Sequence, residues 1–554
     1  MSHDSDADPI TLDIIGAALE AAGDQMFAVL RRTAMSAIIY EVLDAGTAIT
    51  GPTGDLVSSG AGIPTFVAVL DRAVKRVLEL HGEDGILAGD VFLTNDPAYG
   101  GVTHLNDAVV ALPVFVAGEL IAWTANIAHW NDVGGMAPGS IATSASEIFQ
   151  EGLRLPAVKL LDGGVPLQPV FDILRANSRL PDFLHGDLWA AVAAARIGER
   201  RIVELVERYG RPAFKEAIAR ALARGEQACR AGLRALPNGH LELQEEQDGG
   251  AVYAVSVDID DGSLLVDLRD NPDQDAGPNN LSRDGAVIAA QMALMNLIGL
   301  SGSANAGHLR PLTVLTRPGS IFEPGPTAAC GLYYETRVAL YDLILRCLAE
   351  RLGERLPAGS FASICGTFIG GMHPDTGRHF TIVEPEVGGW GASPARDGNS
   401  ALFSPVHGDT FNCPAEVAEG RYGLLVEQLA LSDGTAGAGE HRGGFGITLD
   451  YRVRGDGCFL TCAYRRSEHP PWPLRGGRPG SFNYVEILRE GREPECHRAV
   501  TVLPLSAGDV IRIHTANGAG FGDPRRRSRR RVMEDVRNGY VSAAEAREVY
   551  GVGA

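Results

Sequence analysis

The sequence THLNDAVVALPVFVAGELIAWTANIAHWNDVGG, residues 103–135, contains two apolar segments joined by a short turn. The segments, 108–116 and 120–127, are rich in β-branched and aromatic residues, and the turn contains Gly118. This pattern predicts two antiparallel strands that form a β-hairpin. One His/Asp pair precedes the first strand and another follows the second strand. The hairpin would therefore bring both pairs together at one end of a sheet.

The two pairs have the same spacing, because Asp107 follows His104 by three residues and Asp132 follows His129 by three. Neutral imidazole and carboxylate are the ligands of catalytic divalent-metal sites, and three protein ligands would leave positions open for water or substrate. The alternative interpretation is that the two pairs have only a structural role. A His and an Asp three residues apart are common by chance, and an Asp in a turn often only caps backbone amides.

The composition indicates the class of protein. The 554 residues are 45% hydrophobic and 21% charged, which predicts a folded chain long enough for several subdomains. The formal net charge of −20 repels phosphate backbones and disfavours nucleic acid as a partner. The basic run at 525–531 contains no aromatic residue, so we interpret it as a solvated charge cluster or a subunit contact.

Three features bear on the cellular compartment. The eight cysteines contain no C-x-x-C pair, which favours buried thiols in a reducing environment. The acidic, polar residues 1–6 do not resemble a signal peptide. The uncharged stretch 285–308 is interrupted by polar residues and glycines, so we expect a buried helix there instead of a membrane span. We therefore predict a soluble, cytoplasmic protein with no membrane partner.

Hydrophobic periodicity predicts helices at 11–33, 65–81, 188–236, 285–298 and 333–352, and a last helix after the capping box Ser542-x-x-Glu545. Beside the hairpin, strands are predicted at 91–94, 251–257, 263–268, 424–431, 446–453 and 510–514. This order predicts a large mixed α+β fold with several subdomains. We expect an N-terminal α+β region with the candidate metal site (1–235), a middle α+β region (236–380) and a Gly-rich, strand-rich region that ends in a helix (381–554), together forming one compact unit.

Several common enzyme motifs are missing from the sequence. The three lysines, Lys75, Lys159 and Lys215, are not followed by Ser or Thr, so a Walker-type P-loop is absent. No G-x-S-x-G motif is present, which disfavours a standard serine hydrolase. The glycines at 518, 520 and 522 are followed by Asp-Pro, which breaks the helix that a dinucleotide fingerprint requires. We interpret them as a tight turn.

Two blocks resemble those of the hydantoinase B/oxoprolinase family: Asn95-Asp96-Pro97-x-Tyr99-Gly100-Gly101-x-Thr103-His104-Leu105-x-Asp107, and Ala128-His129-Trp130-x-Asp132-Val133-Gly134-Gly135-x-x-Pro138-Gly139-Ser140. Further matching segments include 151–156, 175–179, 442–444, 520–524 and 535–542, so the resemblance covers nearly the full length. Many relatives have two adjacent histidines in the second block. Here the second of these positions is Trp130.

The resemblance implies a hydantoinase B-like fold and a two-component enzyme. His104, Asp107 and His129 would be the metal ligands, with a divalent ion such as Mn, Zn or Fe. Asp132, which could also be a fourth ligand, and Glu151 would be catalytic. A hydantoinase A-type partner would use ATP to phosphorylate the substrate carbonyl, and this chain would assist attack on the activated species.

The resemblance implies hydrolysis of a cyclic amide such as a hydantoin, a lactam or oxoproline. The alternative is a subunit of an ATP-dependent ketone carboxylase acting on an acetone- or acetophenone-type substrate. The family length favours the hydrolase, because carboxylase large subunits tend to be longer. A third hypothesis is a non-catalytic scaffold that only positions the partner subunit.

Overall fold

The computed structural model describes residues 7–299, 304–408 and 410–553. The helices within these ranges are α1 (Pro9–Thr33), α2 (Ala37–Tyr40), α3 (Pro64–His81), α4 (Gln168–Ala176), α5 (Pro181–Tyr209), α6 (Arg211–Arg234), α7 (Arg283–Ile298), α8 (Ala306–Leu309), α9 (Tyr333–Leu352), α10 (Ala415–Arg421), α11 (Arg529–Arg537) and α12 (Ala543–Glu548).

The strands form four sheets. In chain order they are β1 (Ala45–Thr50), β2 (Leu56–Gly62), β3 (Val91–Thr94), β4 (Asp107–Val116), β5 (Glu119–His129), β6 (Val158–Asp162), β7 (Val165–Pro166), β8 (Gly239–Glu246), β9 (Val252–Asp260), β10 (Ser263–Asp267), β11 (Leu312–Leu315), β12 (Gly366–Met372), β13 (His379–Glu384), β14 (Leu424–Leu431), β15 (Ile447–Val453), β16 (Cys458–Ala463), β17 (Tyr484–Leu488), β18 (Glu495–His497), β19 (Ala499–Leu505) and β20 (Val510–His514). The predicted α+β fold is confirmed.

The sheet that positions the candidate site has seven strands in the order β2-β1-β5-β4-β3-β6-β7. Its centre is the predicted hairpin of β4 and β5, which turns at Ala117 and Gly118, both with positive φ. Asp107, the first residue of β4, is the direct cross-strand partner of His129, the last residue of β5. The hairpin prediction is therefore confirmed, and the two His-containing motifs lie side by side.

Both faces of this sheet are covered, which explains why its strands read as apolar runs. Val109 and Ala111 point to the face covered by α3, where Leu70 is buried with them. The intervening Val110 points to the opposite face, which α1 and α5 cover, and there it joins Leu19 in the main core. The period-2 alternation thus places successive residues in two different apolar layers.

The rest of the chain packs around this layer as three smaller sheets. The sheet β11-β10-β9-β8 contacts α9, which also packs on α7. The part of the chain after α9 forms the sheets β13-β12-β16-β19 and β14-β15-β20-β17-β18. Its glycines allow backbone to pack on backbone: a Cβ added to Gly518 would lie 2.0 Å from the carbonyl oxygen of Trp390. The predicted tight turn at 518–522 is therefore a structural packing site.

The prediction of one continuous helix at 188–236 is wrong. The chain forms two helices, α5 and α6, which are separated at Gly210, where φ is 81°. A left-handed residue cannot continue an α-helix, and Pro212 then occupies the first turn of α6. The helix also begins earlier than predicted, at Pro181.

In the described ranges, no helix is long and apolar enough to cross a membrane. The candidate stretch 285–308 begins within α7, which ends before Gly299 in the left-handed conformation, while its residues 300–303 lie outside the described ones. In the basic run, Arg527 is buried and pairs with Asp397 and Asp535, so this arginine is a structural residue. Of the eight cysteines, seven are buried and Cys496 is exposed.

Candidate metal centre

The side chains of His104, Asp107 and His129 meet at the end of the hairpin, in the core of the chain. One ligand atom from each lies within 4.8 Å of the others, and all three residues are at most 5% exposed. The Oδ1 of Asp107 and the Nδ1 of His129 are buried without a hydrogen-bond partner. Buried polar atoms are normally satisfied, so this cluster of unpaired acceptor atoms fits a bound cation.

The hydrogen bonds around the cluster leave metal-facing atoms free. His104 donates a hydrogen bond from Nδ1 to the carbonyl oxygen of Gly331 at 3.2 Å. In the tautomer that is protonated at Nδ1, the lone pair is on Nε2, which lies 3.3 Å from Oδ1 of Asp107. The other carboxylate oxygen, Oδ2, accepts hydrogen bonds from Thr103 and, at 2.8 Å, from the hydroxyl of Tyr333. This orientation of ligands by outer hydrogen bonds is typical of metal sites.

The protonation states of the group match the same interpretation. Burial opposes ionisation of Asp107, but the neighbouring His104, His129 and Thr103 favour its carboxylate, and its pKa falls to about 2. Burial, with His104 nearby, lowers the pKa of His129 to about 3. At neutral pH the pair therefore offers a carboxylate and a neutral imidazole, the forms that bind metal.

Asp44, which the sequence analysis missed, lies beside the group. It immediately precedes β1, and its carbonyl oxygen accepts a hydrogen bond from the amide of His129 at 3.1 Å. Its carboxylate is 6% exposed, and Oδ1 has no partner. Burial and the charge of Asp107 raise its pKa well above the usual range. The charge of Asp107 acts on this carboxyl, and a cation near both would relieve the repulsion, so Asp44 is a candidate fourth ligand.

The cluster lines a cavity of about 40 Å³. The walls come from all three regions of the chain: Asp44, His104 and His129 from the first, Tyr333, Tyr334 and Arg337 from the second, and Val383, Glu384 and His407 from the third. Both ring nitrogens of His407 are buried without partners. The sequence contains no motif that links these residues to the hairpin, because each is brought in by long-range packing.

Glu151, predicted as catalytic, is buried behind His104. Its oxygens accept hydrogen bonds from the amides of Cys330 and Gly331, at 3.0 and 2.6 Å. Gly331 is also the residue whose carbonyl holds His104. Burial raises the pKa of Glu151 to about 7. The structure therefore connects Glu151 to His104, one of the candidate ligands, through the backbone of Gly331.

Asp132, the other predicted catalytic residue, lies outside the group of three ligands. Its Oδ1 accepts from the amides of Gly134 and Arg179, at 3.1 and 2.9 Å. Its Oδ2 accepts from the amide of Gly139 at 3.0 Å and from Nη1 of Arg179 at 2.9 Å. Both oxygens are thus engaged by donors that hold the loop after β5, and Asp132 does not line the cavity.

A second cluster of ligand-type side chains is formed by Asp248, Glu468 and His469 on the surface. The oxygens of Asp248 already accept hydrogen bonds from the amides of Ser467, Glu468 and His469. This carboxylate therefore acts as a turn cap, in contrast to the unpaired oxygens of the hairpin site.

Comparison with known proteins assigns the chain to a family. A sequence profile of the hydantoinase B/oxoprolinase family matches residues 8–524. The chain belongs to the hydantoinase B/oxoprolinase family.

The chain is similar to two named proteins in sequence and to two solved structures. The chain is similar to caprolactamase subunit beta of Pseudomonas jessenii, with 30% identity over 98% of this chain and 96% of that protein. The crystal structure of ATP-dependent caprolactamase from the same organism superposes with a TM-score of 0.91, at 28% identity, covering 99% of this chain and 97% of the other. 5-Oxoprolinase 1 of Arabidopsis thaliana is 28% identical over 93% of this chain and 42% of its own length. A nucleotide-free acetone carboxylase shares the fold, with a TM-score of 0.88 at 18% identity, over 98% of this chain and 79% of that one.

Proposed function

We propose that this chain is the metal-binding catalytic subunit of an ATP-dependent hydrolase of cyclic amides such as hydantoins, lactams or oxoproline. The observation that carries the proposal is the buried group of His104, Asp107 and His129, whose ligand atoms converge with unpaired lone pairs. The full-length likeness to an ATP-dependent caprolactamase supports the reaction class. The partner would be a hydantoinase A-type subunit that uses ATP, since no P-loop is present in the sequence.

The residues of the chain supply a rigid, preorganised binding site. His104, Asp107 and His129 would hold a divalent ion, for which Mn, Zn and Fe all suit the donors, and Asp44 would be a further ligand. Such an ion supplies Lewis-acid activation of carbonyl or phosphoryl oxygens and lowers the pKa of water. Tyr333 fixes the carboxylate of Asp107 by donating a hydrogen bond to it.

Glu151 and Asp132 act in this proposal as positioning residues. Glu151 holds Gly331, and through it the ring of His104. Asp132 holds the loop that follows His129. The reaction to which they contribute is the opening of an amide whose carbonyl oxygen has been phosphorylated. Water adds to the carbonyl carbon and the ring C–N bond breaks, with a proton passing to the departing nitrogen, which leaves an acyl phosphate. A second water then releases phosphate and the carboxylate of the ring-opened product.

Hydrolysis is favoured over ketone carboxylation by the extent of the match. The chain covers 97% of the caprolactamase chain but 79% of the acetone carboxylase chain, and the second match shows only a shared fold. A carboxylase would need to bind bicarbonate or carbon dioxide as a second substrate. The requirement for bicarbonate therefore distinguishes the two reactions in an experiment.

The test is co-expression with the hydantoinase A-type partner and measurement of ATP hydrolysis against cyclic amides and ketones, with and without bicarbonate. The expected result is ATP hydrolysis coupled to a ring-opened product from a cyclic amide without bicarbonate. Turnover that requires both a ketone and bicarbonate would replace the hydrolase with a carboxylase.

A matched pair of variants tests the scaffold hypothesis in the same complex. His104→Ala should abolish product formation, whereas the control His240→Ala, at an exposed histidine on β8, should leave it unchanged. A chain that only positions its partner would keep full activity in both variants.

A further inference from the structure

The guanidinium of Arg337 is buried in the cavity without a complete set of partners. The residue is 1% exposed, and its Nε and Nη1 atoms have no hydrogen-bond partner among the described residues. The ring of Tyr333, whose centroid lies 5.2 Å from Cζ, gives partial stabilisation. A desolvated cation with free donors is unfavourable unless an anion completes its hydrogen bonds.

Two other buried arginines have their charges paired with carboxylates of the chain. Arg466 donates to Glu245 and Asp342, and Arg527 is paired with two aspartates. Both therefore have carboxylate partners within the fold. Arg337 also lies near a carboxyl, that of Asp44, but it differs because its Nε and Nη1 donate no hydrogen bond to any described residue.

Other unpaired groups line the same cavity. The hydroxyl of Tyr334 and both ring nitrogens of His407 are buried without partners. The cavity volume of about 40 Å³ accommodates about three water-sized groups. This is the scale of a small oxyanion, and it is too small for a complete cyclic amide. The unpaired donors are therefore suited to bind one charged group of the substrate.

The hydrogen bonds of the cavity carboxyls identify the sign of that group. The carboxylates of Asp44 and Asp107 would balance the two positive charges of a divalent ion held between them. The third carboxyl of the cavity, Glu384, is engaged by Tyr451 and by the amide of Cys413. None of these three carboxyls is hydrogen-bonded to Arg337, so its free Nε and Nη1 donors remain open to an added anion.

We propose that Arg337, together with Tyr334 and His407, forms an oxyanion subsite that binds the phosphoryl group of the activated substrate. This inference rests on the proposed function, because that function places a phosphoryl group on the substrate carbonyl oxygen. Guanidinium is suited to this role, since its planar donors bind phosphate oxygens with a fixed geometry and it stays charged at every working pH.

The test uses the full chain with its bound metal and inorganic phosphate as the ligand. Thermal unfolding is followed at rising phosphate concentration for the wild type, for Arg337→Met and for the control Arg346→Met. Arg346 lies on the same helix, is partly exposed and pairs with Glu245. Phosphate should raise the Tm of the wild type and the control, because ligand binding to the folded state stabilises it.

In Arg337→Met the half-saturating phosphate concentration should rise by about tenfold or more. Without phosphate, this variant should unfold at or above the wild-type temperature, because it removes a buried, incompletely paired charge. If Arg337→Met does not fold, Tyr334→Phe provides the second variant, with a smaller but measurable weakening. An equal phosphate response in the wild type and in both variants would overturn the subsite.

The result separates the subsite from the proposed function. If cyclic amides are not hydrolysed but the phosphate response still depends on Arg337, the subsite stands and the substrate assignment fails. If cyclic amides are hydrolysed and Arg337→Met keeps both the phosphate response and kcat, the hydrolase stands and the subsite is wrong.

Discussion

Asp132→Ala tests the structural interpretation of a residue that the sequence motif places among the catalytic candidates. The substitution removes the acceptor of four hydrogen bonds, three from backbone amides and one from the guanidinium of Arg179. A hydrogen bond to a charged group contributes about 1.5–3 kcal/mol. Four such bonds would sum to about 6–12 kcal/mol, but Arg179 and part of the loop can be solvated once the carboxylate is gone.

We therefore expect Asp132→Ala to lower the free energy of unfolding by about 3–5 kcal/mol, the range for breaking a buried ion pair. Asp132→Asn keeps one acceptor oxygen and should lose about half of that. The control is Asp172→Ala, at an exposed aspartate that accepts a single hydrogen bond from Gln168. Urea unfolding followed by tryptophan fluorescence measures the stabilities, and elemental analysis measures the bound metal.

The distinguishing feature is that Asp132→Ala should keep its metal when folded, because its carboxylate does not line the cavity. A variant that keeps the wild-type stability but loses the metal would refute this reasoning and make Asp132 a ligand.

Three further predictions concern groups around the site. Asp44→Asn should weaken metal binding by more than about tenfold in a competition titration with a chelator, while an unchanged affinity would exclude it as a ligand. Gly331→Ala should weaken metal binding by about 10–100-fold, because the added Cβ would lie 2.8 Å from Oε1 of Glu151 and disturb the carbonyl that holds His104; an unchanged affinity would show that this support is dispensable. Burial raises the pKa of Glu335 to about 7, against the ordinary 4.5. Its contribution is thus complete below pH 4.5, and about 3 kcal/mol is lost as the pH rises through 7. Glu335→Gln should flatten this part of the pH profile of unfolding, and an unaltered profile would assign the loss to another group.

The hairpin and three of its site residues could be predicted because their signals are local. Two apolar runs around a Gly-containing turn specify β4 and β5, and the sheet geometry then places Asp107 opposite His129. The break at Gly210 also has a local signal, since a glycine followed closely by Pro212 marks a helix end and a helix start.

The remaining part of the site depends on contacts between distant segments. Asp44 reaches the candidate ligands only because β1 pairs with β5, which places Ala45 opposite Ala128. On α9, the charged residues Glu335, Arg337 and Asp342 are all buried, although helical periodicity predicts charged residues on the solvent side. A sequence pattern reports the average preference of a side chain. Buried charges at a functional site are the exceptions to that preference.

The measurement that tests the central claim most directly is the metal content of the purified full chain and of two matched variants. The wild type should contain one divalent metal ion per chain, and His129→Ala should lose it while remaining folded. The control His469→Ala, in the capped surface cluster, should retain the metal. Full occupancy in His129→Ala, or loss in His469→Ala alone, would contradict the assignment of the metal to the hairpin site.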